Sequence, residues 1–118
     1  MRKYKHLDIW NKAILLVDEI YTLTKSFPKD EMFGLSQQMR RAAVSVPSNI
    51  AEGAGRNSEL QFIQFLSIAS GSATELETQL IISNRQNYIS DEQLESTLKL
   101  IDDIQKMNYK LQNKLNGK

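Results

Sequence analysis

Apolar residues in this chain recur at intervals of three and four in four long stretches, and nowhere alternate over the length of a strand. That spacing gathers them on one side of a helix and leaves no signal for a sheet. Only two prolines and five glycines interrupt the 118 residues, so each stretch can run long.

The first helix is expected over about 7–26, where Trp10, Ala13, Ile14, Val17, Tyr21 and Thr24 share a face. Phe27-Pro28 closes it, because a residue before proline is pushed out of the α region. The second is expected over about 33–53, with Leu35, Met39, Ala42, Ala43, Val46 and Ile50 inward. Pro47 falls inside it and removes a hydrogen bond there. The pattern continues through the proline, which predicts one kinked helix. Gly53 and Gly55 are read as a stop in left-handed backbone. The third helix, about 58–84, opens on Ser58-Glu59-Leu60-Gln61, and the fourth, about 91–115, on Ser90-Asp91-Glu92-Gln93. Both have the spacing of a capping box, and Ile89 can staple Leu94. Short links make successive helices antiparallel. The reading is all-α: an up-down-up-down four-helix bundle forming one domain, 1–118.

The residues offer little to a catalyst. There is no cysteine, which excludes disulfides and thiolate metal sites and fits a reducing cytoplasm. The one histidine, His6, has no Glu-x-x-His partner of the kind that holds metals in bundles. Gly53-Ala54-Gly55-Arg56 lacks the lysine and the length of a phosphate loop. The expectation is therefore no catalytic site, no metal and no cofactor. No apolar run reaches the length of a membrane span, and the basic N-terminus lacks the apolar core of a signal peptide.

Two features of the second and third helices suggest structural roles. Glu77 is expected level with Gly34, where it could accept from free N–H groups at the start of the second helix. The small residues Ala69 to Ala73 are expected against the Gln38 to Ala43 level, allowing close approach.

The basic residues leave two readings open. Arg40, Arg41 and Arg56, joined by Arg2, Lys3, Lys5 and Arg85, are candidates for phosphate contact with RNA or DNA, since the guanidinium fork suits phosphate. The other reading is a solvated or salt-bridged face on a protein adaptor that touches no nucleic acid. A net charge of +1 is far from the strong basicity of a dedicated nucleic-acid binder. Val44, Pro47 and Ala51 form a second weakly apolar strip on the second helix, and Leu15, Leu16 and Leu23 look surplus on the first. Such extra strips suggest a homo-oligomer interface.

The stretches RRAAVSVPSNIAEGAGR (40–56) and FIQFLSIASGSATELETQL (62–80) resemble the four helix bundle protein family, encoded in intervening sequences of bacterial large-subunit ribosomal RNA genes. The resemblance covers nearly the whole chain, including the Trp10 segment and Phe33-Gly34-Leu35-Ser36. That family is similar to the accessory variability protein of diversity-generating retroelements, a basic pentamer that works with a reverse transcriptase and nucleic acid. The resemblance implies an antiparallel four-helix protomer, a homopentamer, no enzymatic activity, and RNA, DNA or a protein such as a reverse transcriptase as partner. Ser70 stands where the family pattern commonly carries arginine.

Overall fold

A computed structural model describes residues 3–117. Four helices, α1 (Asp8–Thr24), α2 (Leu35–Ala54), α3 (Glu59–Arg85) and α4 (Asp91–Leu115), form an all-α bundle. Short 3-10 turns at Tyr4–His6 and Lys29–Glu31 are the elements that the periodicity does not reveal. Each helix packs on its two neighbours and α1 closes against α4, while the diagonal pairs stay apart. The bundle measures 44 × 23 × 20 Å, its long axis close to the roughly 40 Å expected of 27 helical residues.

The capping residues act as their types require. The Ser58 hydroxyl accepts from the Gln61 N–H at 3.1 Å. Ser90 and Gln93 form the full reciprocal box, at 3.0 and 2.9 Å. Ile89 is buried, and Leu94 packs against the core to which Ile89 belongs.

Four expectations are corrected. Leu16 and Leu23 are buried in the protomer, and so is Pro47; of the first-helix leucines only Leu15, 57% exposed, faces outward. A bundle helix between two neighbours buries a broader arc than one stripe, and these residues fill it. Gly53 and Gly55 are not in left-handed backbone: Gly53 is helical and Gly55 caps α2 at φ −83°. Gly53 is there for proximity. A β-carbon on it would stand 2.9 Å from the Phe62 ring. The acceptor at the start of α2 is Glu31, whose Oε1 takes the Leu35 N–H at 3.2 Å, so the role expected of Glu77 belongs to a residue nearer in sequence. Ser72 meets Ser45, hydroxyl to hydroxyl at 2.8 Å, placing the small residues of α3 further along α2 than the Gln38 to Ala43 level. Pro47 lies within an uninterrupted α2.

Polar bonds fix the relative heights of the helices. Asn108, buried in α4, donates to the Leu66 carbonyl of α3 at 2.8 Å and accepts from Gln112 at 2.6 Å. Lys12 of α1 pairs with Asp103 of α4 at 3.3 Å.

Candidate interaction surface at the edge of α1 and α2

The α1–α2 connection controls what this edge presents. Pro28 turns the chain, the 3-10 turn brings Glu31 back, and Gly34 leads into α2 with no side chain of its own to cap it. Glu31 ties the elbow down with both oxygens, Oε1 accepting from Leu35 and Oε2 from the Tyr88 hydroxyl at 3.1 Å. That second bond holds the Tyr88 phenol above its ordinary pKa; partial burial and the carboxylate charge push the same way. Tyr88 also packs on Phe27, ring centroids 5.2 Å apart.

With the elbow anchored there, Met32 and Phe33 project outward. Phe33 is 84% exposed and Met32 56%. Together with Tyr21 and Val44 they edge an open groove of ≈ 550 Å³, whose polar side is Gln37, Arg40, Arg41 and Ser45. Four large apolar residues gathered on one edge form a patch, which is what marks interaction surfaces on small proteins.

Arg40 is held from within. Its Nε donates to the Thr24 hydroxyl at 2.8 Å, and its guanidinium lies 4.7 Å over the Tyr21 ring. Arg41 is exposed, lies between this groove and a hollow lined by Ser72 and Glu75, and makes no hydrogen bond or ion pair among the described residues.

Among the described residues, none of the other candidate cations lines the groove. Arg56 lies beyond the far end of α2, roughly 24 Å from Arg40 at 1.5 Å per residue, paired with Glu52 at 3.5 Å and stacked 4.8 Å over Phe65. Lys3 and Lys5 are exposed ahead of α1, at the Arg56 end. Arg85 is in the last turn of α3, at the Arg40 end of the bundle but outside the groove lining. Arg2 lies outside the described residues. Of the interface candidates, Val44 is in the groove, Ala51 is half-buried and Leu15 is exposed.

Met32 and Phe33 were the residues the sequence hid. Their signal was two large apolar side chains between Pro28 and Gly34, out of step with the helical spacing on either side. Among the described residues, no group of three histidines or carboxylates is placed to hold a metal ion. No helix among them is long and apolar enough to cross a membrane.

The pattern of the family described as 23S rRNA-intervening sequence protein matches residues 5–110. No curated protein matches the chain. Among solved structures, a Bacteroides thetaiotaomicron protein of unknown function from the S23 ribosomal protein family is similar, with 30% identity and a TM-score of 0.82. The match covers 88% of this chain and 97% of that one.

Proposed function

The chain belongs to the 23S rRNA-intervening sequence protein family, and we propose that it is a non-catalytic, self-associating scaffold that contacts RNA or DNA. The observation that carries this reading is the groove edge: Tyr21, Met32, Phe33 and Val44 exposed together, with Arg40 and Arg41 along the side. An apolar patch rimmed by cations suits burial against another subunit, with the rim left to meet phosphate. If the patch meets a different surface on the next copy, the contact is head-to-tail and closes into a ring when the rotation allows. The ring of five is the expectation from the resemblance.

Sedimentation equilibrium of wild type and Phe33→Glu tests the assembly. The wild type is expected to be oligomeric and the variant monomeric and folded. A monomeric wild type would remove the scaffold reading. For the nucleic-acid part, RNA and DNA binding is measured at two salt concentrations with wild type and an Arg40→Ala/Arg41→Ala variant. Phosphate-driven binding weakens steeply as salt rises, and no binding at low salt would remove that part.

A protein adaptor that touches no nucleic acid is the second reading. Its support is specific: Arg40 is occupied by Thr24 and Tyr21, and Arg56 by Glu52 and Phe65, which leaves Arg41 alone in α2 without a partner.

A further inference from the structure

The near-neutral net charge conceals a polarised surface on the opposite side of the bundle. From Leu60 to Thr74, α3 carries no charged residue, and from Ile104 to Gly117 the chain carries Lys106, Lys110 and Lys114 and no carboxylate. These stretches are neighbours, joined by the Asn108 bond to Leu66 and by Gln105 donating to the Ser70 carbonyl at 3.0 Å. Beside that seam stands Tyr109, 69% exposed, in a shallow hollow lined by Gln105, Lys106 and Lys110.

A tyrosine turned outward with nothing of its own chain over it leaves a ring face open to stacking. The flanking lysines repeat every four residues, about 6 Å along the helix, comparable to the phosphate step of an extended strand. Lys106 pairs with Asp102 at 3.0 Å, but both groups are solvated, and exposed pairs of this kind are weak enough to exchange for a phosphate. An acidic peptide would use the lysines and leave the ring idle. A single-stranded nucleic acid uses both, through sequence-tolerant stacking and a cationic track.

We propose that the C-terminal half of α4 is a contact surface for single-stranded nucleic acid, with a base stacked on Tyr109 and phosphates at Lys106 and Lys110. The proposal rests on the nucleic-acid part of the function above and places that contact on a different helix from Arg40 and Arg41.

The test is fluorescence anisotropy with a labelled oligouridylate and a labelled duplex of the same length, across a salt series. The variants are Tyr109→Ala, Tyr109→Phe, Lys106→Gln/Lys110→Gln and Arg40→Ala/Arg41→Ala, each checked for helicity by circular dichroism. The single strand is expected to bind better than the duplex. Tyr109→Ala should weaken it roughly 5- to 100-fold, with Tyr109→Phe close to wild type. The double lysine variant should lower the salt slope by about 1.4. If the arginine variant loses binding while the α4 variants keep it, the α4 surface is overturned and nucleic-acid binding stands. If wild type binds neither oligonucleotide at low salt, both readings fall. Binding to phosphatidylserine vesicles without binding to oligouridylate would overturn the proposal in favour of an anionic lipid surface.

Discussion

A β-carbon built on Gly53 would stand 2.7 Å from the β-carbon of Phe65, closer than real carbon contacts allow. The α2 and α3 backbones meet at this point because one residue has no side chain. Gly53→Ala gains about 1 kcal/mol in helix propensity but forces the helices apart, an overpacking cost of about 1–3 kcal/mol. Urea denaturation is expected to show a net loss of stability. A more stable variant would mean that the hairpin relaxes freely.

Tyr88 and Glu31 make an alkaline-sensitive latch. The Tyr88 phenol titrates above its ordinary value because it donates to Glu31. A raised phenol pKa means that the folded state holds its proton longer than the unfolded one. The contribution is therefore present below the unfolded phenol pKa and is lost as pH rises through the folded value. Tyr88→Phe should flatten the fall in stability above about pH 10. Identical alkaline profiles for the two proteins would remove the latch.

Asp103 responds at the other end of the scale. Its hydrogen bond from Lys12, aided by Lys99, holds its carboxyl below the usual carboxylate range despite the opposing desolvation. That contribution is present above the unfolded carboxyl pKa and is lost as pH falls through the lowered one. Asp103→Asn should lose a little stability at neutral pH and show a shallower acid transition than wild type in thermal melts.

Asn108 interrupts the apolar stripe of α4 for a reason. It is 2% exposed and bonded to both Leu66 and Gln112. Asn108→Ala should cost about 1–3 kcal/mol, since a buried polar network loses its centre. Chemical denaturation measures it, and an unchanged midpoint would show that the α3–α4 height is set by packing alone.

Arg40 is predicted to matter to folding as well as to any ligand. Arg40→Met keeps the aliphatic stem but removes the bond to Thr24 and the stacking on Tyr21. A loss of about 0.5–2 kcal/mol is expected in thermal unfolding. The size of that loss corrects any binding measurement on the Arg40→Ala/Arg41→Ala variant.

The four helices were legible because their apolar residues repeat at helical spacing and their starts carry explicit caps, as at Ser90 and Gln93. Depth of burial was less so. Leu16, Leu23 and Pro47 read as surplus because a one-stripe pattern underestimates the arc buried between two neighbours. The glycine at 53 was misread because a helix stop and a close helix crossing call for the same residue. The Arg56–Glu52 pair forms at 3.5 Å because Gly55 stays in right-handed backbone, which a left-handed stop at the glycines would not have allowed. The outward turn of Phe33 depends on Glu31 reaching Tyr88, 57 positions away, and no local pattern encodes that.

The seam between α1 and α4 has a kinetic consequence. The other three seams join helices that follow one another in the chain, and each can zip from its own short turn. This one closes last, over the largest loop: Lys12 and Asp103 are 91 positions apart, and Glu19 and Thr97 are 78 apart. Loop entropy makes such a contact the latest to form. Its polar ties are a half-exposed ion pair and a 3.5 Å hydrogen bond, so it is also the natural place for the bundle to part. Opening there would unroll a closed cylinder into a curved layer of helices and bare Leu16, Ile20, Ile101 and Ile104 without breaking a single helix.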